Sequence, residues 1–198
     1  MLKILSIGTE AFIRSESSYM KYRKALFLDR DGVINIDYGH VYKIEDFIFI
    51  KDIEILIKYA MKKDYLIIII TNQAGIGKGF YSVNDFQILT KYMSNSLSKL
   101  GCNIDDVFYC PFHPTEGIGE FLKDSNDRKP NPGMLLKAQK KHKIDMNQSL
   151  LIGDKISDIN AGIAAGVKTN ILFKHKACHN KSSYEPCISS LKEAKFFL

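Results

Sequence analysis

Asp29 and Asp31 stand one residue apart in Ala25-Leu26-Phe27-Leu28-Asp29-Arg30-Asp31-Gly32-Val33, directly after four apolar residues. Such a run suits a strand buried on both faces, and Gly32 lets the chain turn sharply at its end. Two carboxylates at the mouth of a buried strand repel each other unless a cation lies between them. The pair therefore reads either as an Mg2+-dependent catalytic site or as an acidic turn without chemistry. Three distant residues favour the first reading: Thr71 at the end of a second apolar run, Lys129 in Asp127-Arg128-Lys129-Pro130, and Asp154 after Leu150-Leu151-Ile152-Gly153. Phosphoryl transfer needs a nucleophile, a proton donor for the leaving oxygen, and positive charge around the transferring group. Asp29 can attack phosphorus. Asp31 can protonate the leaving alkoxide and then take a proton from the hydrolytic water. Asp154, Asp29 and the backbone carbonyl of Asp31 offer hard oxygen ligands for Mg2+. Thr71 can hold a phosphate oxygen, and Lys129 can neutralise developing charge.

These residues need elements that bring them together. Strands are expected near 25–28, 65–71, 107–110, 150–153 and 169–173, alternating with helices near 52–63, 82–100, 132–143 and 158–165. Asp52, Ser82 or Asn84 are the expected helix caps, Pro132 suits a first turn, and Gly166 closes the small-residue helix. The alternation in 34–42 and 47–50 suggests a two-stranded flap over the end of the first strand. The tail is expected to add a last strand and a helix over 190–197. Strands alternating with helices imply a Rossmann-like α/β three-layer sandwich with a mostly parallel sheet. Ligands of such sheets bind beyond the carboxyl ends of the strands, where Asp29, Thr71 and Asp154 would converge. Residues 1–24 are read as an N-terminal extension and 25–198 as the catalytic domain.

Composition limits the alternatives. A chain of 198 residues with 45% hydrophobic and 25% charged residues suits one globular domain. The net charge of +6 fits an anionic substrate, and it is the sole support for a basic binding module with a decayed active site. No aromatic-and-basic platform for nucleic acid is visible. Leu66–Ile70 is far too short to span a bilayer. Four cysteines without a Cys-x-x-Cys pair point to a reduced, cytoplasmic protein, with Cys102, Cys178 and Cys187 as packing or surface residues. A small-molecule substrate, no nucleic-acid or membrane partner, and a monomer are expected. Gly75-Ile76-Gly77-Lys78-Gly79 lacks P-loop spacing and reads as a glycine-rich turn near the site. His113 reads as a structural loop histidine. His40 either meets a sugar hydroxyl or only sits on the flap. Asp158 either supports Lys155 or the Mg2+ shell, or caps its helix.

The order LFLDRDGVI, IIIITNQ, RKP, LLIGDKISD resembles the haloacid dehalogenase-like phosphatases over residues 25 to 173. DRDGVIN, TNQAGIGKG, CPFHP, RKPNPGM and IGDKISD resemble, more narrowly, the heptose 1,7-bisphosphate phosphatases, and histidinol-phosphate phosphatases share much of the pattern. The resemblance implies no large cap domain, Mg2+ dependence, and removal of a 7-phosphate in nucleotide-activated heptose biosynthesis for lipopolysaccharide and related sugars. It implies Asp29 as nucleophile, Asp31 as acid/base and Asp154 as metal ligand, with Thr71 and Lys129 stabilising the phosphoryl group. Substrate contacts are implied for Asp37, Tyr38, Gly39 and His40, for Thr71, Asn72, Gln73 and Ala74, and for Arg128, Lys129 and Lys155. Arg128 suits a second phosphate, because its planar fork matches one bidentately.

One departure stands out. Zinc-bearing members of this group carry Cys-x-His and Cys-x-Cys pairs, whereas this chain has Cys110-Pro111-Phe112 and Ser125-Asn126-Asp127. One thiolate is too few for a closed structural site, so no structural zinc is expected. Atomic absorption on protein purified without added metal should find no stoichiometric zinc; one equivalent per chain would overturn this.

Overall fold

The computed structural model describes residues 22–174 and 186–198. Among them, six strands form one sheet: β1 (Ala25–Leu28), β2 (Leu66–Asn72), β3 (Asp106–Cys110), β4 (Leu150–Gly153), β5 (Thr169–Phe173) and β6 (Cys187–Ile188). Their spatial order is β3-β2-β1-β4-β5-β6, and every neighbouring pair is parallel. A parallel sheet covered on both faces needs strands that are apolar throughout, and β1 is buried at all four positions. Leu26 and Leu28 face one core, and Ala25 and Phe27 face the other.

Helices α1 (Ile53–Lys62) and α3 (Val83–Lys99) pack on the first core through Leu56, Ile57, Leu89 and Met93. Helices α4 (Gly133–His142) and α5 (Ile156–Ala164) pack on the second through Leu135, Ala138 and Ile159. This is the expected three-layer sandwich. Between β2 and α3 the glycine-rich segment winds one turn, α2 (Ala74–Gly77), where a plain turn was expected. The strand order reverses between β1 and β4, which is the switch point at which such sheets bind ligands.

Several local expectations change. The flap is not a two-stranded ribbon: Asn35 and Phe49 form a single antiparallel bridge, flanked by Ile36 N–H to Ile48 O at 2.9 Å and Ile50 N–H to Ile34 O at 2.8 Å. Its base is instead anchored by apolar burial, with Val33, Ile34, Val41, Phe47 and Ile50 in the first core. Asp52 makes no side-chain cap, because its backbone is left-handed (φ 70°) and its carboxylate meets Lys192 at 3.2 Å. Ser82 does cap α3, in a reciprocal box with Asp85. Asp158 lies in the first turn of α5 rather than before it. The expected C-terminal helix is a short 3-10 turn, Glu193–Phe196.

The long loop after β3 is held by local contacts. His113 N–H bonds Phe121 O at 3.1 Å, Ile118 N–H bonds Gly77 O at 2.8 Å, and the Phe112 and Phe121 rings lie 6.1 Å apart. Ser125 O accepts from Arg128 N–H at 3.0 Å and from Asn131 Nδ2 at 3.2 Å. Cys102 and Cys110 are buried free thiols, but Cys187 is disulfide-bonded, which corrects its reading as a simple packing or surface residue. Cys178 and residues 1–21 of the expected extension lie outside the described residues.

Removing the Phe27 side chain leaves a cavity in a fully buried strand. Phe27→Ala should cost about 3–5 kcal/mol in urea unfolding, whereas Phe196→Ala, at a side chain 90% exposed, should stay within about 0.5 kcal/mol.

Candidate active site

β1 ends at Leu28, whose neighbours in register are Ile69 of β2 and Ile152 of β4. Asp29 N–H still bonds Ile152 O at 3.0 Å, so its side chain emerges between two strands at the reversal of the sheet. Asp154 follows the end of β4, and Thr71 lies near the end of β2. Gly32 turns the chain here with a φ of 92°, and a Cβ on it would lie 2.3 Å from Asp154 Oδ2. Only glycine gives both the left-handed backbone and the close approach.

Lys129 is the centre of the cluster. Its Nζ meets Asp29 Oδ1 at 2.7 Å, Asp158 Oδ1 at 2.7 Å and Ile70 O at 2.8 Å, and its side chain is 3% exposed. Asn72 holds the lysine backbone from both sides, accepting from Lys129 N–H at 3.0 Å and donating to Lys129 O at 3.0 Å. Burial alone would lower the Lys129 pKa, but the charges of Asp158 and Asp29 outweigh it and raise the value. Burial pushes the Asp29 carboxyl up to about 8, partly relieved by Lys129 and aggravated by Asp158. Asp154 is also raised, by burial first.

Asp29, Asp154 and Asp158 each offer a carboxylate oxygen within 4.8 Å of the others. Asp154 Oδ1 is buried and has no hydrogen-bond partner within the protein. Three carboxylates with a single ammonium among them carry an excess of negative charge, and all their donors are hard oxygens, so the residues fit a divalent cation such as Mg2+. Asp158 joins this group while also accepting from Lys155 N–H at 2.9 Å, which supports the start of α5.

Asp31 has a different environment. Its Oδ1 accepts from Arg30 Nε at 3.1 Å, Arg30 Nη2 at 2.8 Å and Asn35 Nδ2 at 3.0 Å. Its Oδ2 accepts from Arg30 Nη2 at 2.8 Å and Gln73 Nε2 at 2.9 Å. Gln73 also donates to Thr71 Oγ1 at 2.8 Å and accepts from Tyr81 Oη at 2.6 Å.

A cavity of about 420 Å³ opens over these groups, lined by Asp29, Asp31, Thr71, Lys129 and Asp158 at its floor. Its walls include the expected Asp37, Gly39, His40, Asn72, Ala74, Arg128 and Lys155. Lys155 Nζ meets Asp37 Oδ2 at 3.0 Å, tying the flap to the start of α5. Tyr38 is 62% exposed and does not line the cavity. His40 packs edge-on against Phe80, with ring centroids 4.7 Å apart. Lys78, Tyr81 and Ser157 also line the cavity and were not anticipated. Lys78 could have been suspected from its place in the glycine-rich segment; it pairs with Glu116 of the long loop.

The HAD-hydrolase-like family model matches residues 126–182. The D-glycero-alpha-D-manno-heptose-1,7-bisphosphate 7-phosphatase of Burkholderia mallei is 52% identical over 150 residues, which is 76% of this chain and 79% of that relative. The D-glycero-beta-D-manno-heptose-1,7-bisphosphate 7-phosphatase of Helicobacter pylori is 44% identical over 169 residues, 85% of this chain and 94% of that relative. Among solved structures, a D,D-heptose 1,7-bisphosphate phosphatase from B. bronchiseptica complexed with magnesium and phosphate matches with a TM-score of 0.68 at 27% identity, covering 76% of this chain and 80% of that one.

The raised Asp29 value has a signed consequence. With no cation bound, the folded chain retains a proton up to about pH 8 that the unfolded chain, at 3.8, has already released. Its contribution to stability is complete below the unfolded value and is lost as pH rises through the folded one. In EDTA the melting temperature should therefore fall between pH 5 and pH 8, and Mg2+ should raise it most at pH 8. A Mg2+ effect equal at both pH values, in differential scanning fluorimetry, would contradict this.

Proposed function

Because the chain belongs to the HAD-like heptose-bisphosphate phosphatases, we propose that it hydrolyses the 7-phosphate of D-glycero-D-manno-heptose 1,7-bisphosphate through an aspartyl-phosphate. The observation that carries this reading is the buried junction of Asp29, Lys129, Asp158 and Asp154 at the sheet's switch point, under a cavity rimmed by cations. Relatives that share 44–52% of their residues with it are named for this reaction.

In the first step an Asp29 carboxylate oxygen attacks phosphorus and the bond to the sugar oxygen breaks. The carboxyl of Asp31 gives its proton to that oxygen, leaving the sugar hydroxyl, an aspartyl-phosphate and an Asp31 carboxylate. In the second step Asp31 takes a proton from water as the water oxygen attacks phosphorus. The bond to Asp29 breaks, inorganic phosphate leaves and both aspartates return to their starting states. Asp29, Asp154 and Asp158, with the carbonyl of Asp31, would hold Mg2+, which supplies positive charge against the phosphoryl oxygens when bound. Lys129 adds a fixed positive charge beside the nucleophile, and the Thr71 hydroxyl can donate to a phosphoryl oxygen.

The substrate reading rests on the walls. A cavity of about 420 Å³ suits a sugar phosphate. Arg128, Lys78 and Lys155 rim it, more cation than one phosphate requires, so a second phosphate has partners. Among the described residues the Arg128 side chain donates one bond, to Phe112 O at 3.3 Å, and the rest of its fork is left to grip an anion. The substrate class supports a cytoplasmic setting.

Asp29→Asn should lower phosphate release from heptose 1,7-bisphosphate by about a thousandfold or more, with the variant still folded by circular dichroism. Wild-type kcat/KM should favour the heptose bisphosphate over histidinol phosphate. Comparable turnover by Asp29→Asn would remove Asp29 as nucleophile, and a preference for histidinol phosphate would reassign the substrate.

A further inference from the structure

Gln73 touches both Asp31 and Thr71 through one amide nitrogen, at 2.9 and 2.8 Å. A carboxamide carries its donor and its acceptor on nearly equivalent positions. Turned over, Gln73 would aim its oxygen at the Asp31 carboxylate and replace an attraction with a repulsion. The Asp31 carboxylate, an acceptor only, selects the orientation that presents the nitrogen. Tyr81 reinforces it, because its hydroxyl donates to Gln73 Oε1 at 2.6 Å and holds the acceptor end.

The Tyr81 ring is itself locked in place. It stacks on Tyr42 with centroids 5.0 Å apart and planes 8° apart. It also fills the space where Gly75 has no side chain: a Cβ there would lie 2.2 Å from Tyr81 Cε1. Burial pushes the phenol up to about 12, so it keeps its proton and remains a donor across the working range. Gln73 lines the cavity, as its expected substrate contact requires, but it is 1% exposed and both ends of its amide are engaged within the protein.

We propose that Tyr81, acting through Gln73, is a positioning residue that fixes the Asp31 carboxyl for proton delivery to the leaving oxygen. Arg30 donates to both Asp31 oxygens and Asn35 to one, and Gln73 adds the one donor that also reaches Thr71, so it ties the direction of the carboxyl to the Thr71 hydroxyl. The same amide donates to Thr71 Oγ1 and leaves the hydroxyl hydrogen free to point at a phosphoryl oxygen.

This inference rests on Asp31 being the acid of the proposed reaction, and the test uses leaving groups to isolate that role. Heptose 1,7-bisphosphate and mannose 6-phosphate release alkoxides that need a proton, whereas p-nitrophenyl phosphate releases a phenolate that does not. Tyr81→Phe should lower kcat on the alkyl phosphates about tenfold, with KM within about twofold. The pre-steady-state p-nitrophenol burst should change less than about threefold. Gln73→Met should lose at least as much, and the double variant should be no worse than Gln73→Met alone, since Tyr81 works only through Gln73. Equal losses on alkyl and aryl esters, as a general loosening would give, overturn the proposal, and so do multiplying losses in the double variant. If wild type turns over mannose 6-phosphate but not the heptose bisphosphate, the substrate reading falls and the relay is judged on mannose 6-phosphate.

Discussion

The ammonium of Lys129 is the contact on which the site depends. It is buried, and it satisfies its three donors on Asp29, Asp158 and the Ile70 carbonyl. Those acceptors belong to the end of β1, to α5 and to β2, so a single cation fixes three elements of the sandwich relative to one another. A buried ion pair is weak evidence for stability in itself, because desolvation offsets much of the attraction. Removing one partner is another matter, since an unpaired buried charge costs about 3–5 kcal/mol. The arrangement is therefore hard to dismantle piecemeal, and the lysine is delivered with its backbone clamped by Asn72. Such a clamp is how a loop side chain attains the placement that catalysis needs.

The sheet explains why residues far apart in sequence meet. Strand order β3-β2-β1-β4-β5-β6 puts the ends of β1 and β4 side by side at the reversal. Register then places Leu28 opposite Ile152, so that Asp29 N–H bonds the Ile152 carbonyl, and sets Asp154 one residue beyond β4. Close backbone approach completes the fit: Gly32 lies against Asp154, and a Cβ on Gly153 would meet Asp158 Cβ at 2.2 Å. The glycines beside these aspartates are spacing devices for carboxylates that must crowd together.

Much of this was legible in the sequence, because apolar runs that end in polar residues report both the strand and the place where it opens. Asp29, Thr71 and Asp154 could be read that way, whereas Lys129 stands in a polar loop and was suggested by its charge beside Arg128 and Pro130. Asp158 could not be assigned to one role, because spacing does not reveal that a single carboxylate serves the Lys155 amide, Lys129 and the acidic cluster at once. Tyr81 was invisible for a related reason: in an apolar stretch an aromatic looks like core, and its hydroxyl matters only through a contact made eight residues back across the turn of α2. The flap misled through its alternation. Alternating residues there mark which side chains enter the first core, and the backbone forms only one bridge. Asp52 misled because capping depends on an extended backbone, which its left-handed conformation denies.

The two aspartates that begin the site sit two residues apart and could have been chemically alike. Their neighbours separate them. Asp29 is buried beside Asp154 and Asp158 with one lysine in contact, a setting that leaves negative charge to be met by a cation and by an incoming phosphorus. Asp31 is surrounded by donors alone: a guanidinium and two amides, with no second carboxylate bonded to it. A group ringed by donors is held in a fixed direction, and the proposed proton transfer to the leaving oxygen and from water needs such a fixed direction. The alternation of a strand end sends adjacent odd residues to the same face, so the division cannot come from β1 itself. It comes from Arg30, the residue between them, which is buried at 1% exposure and turns back to clasp Asp31 and the Val41 carbonyl. The acidic pair is thus split into two functions by the basic residue that separates it in the sequence.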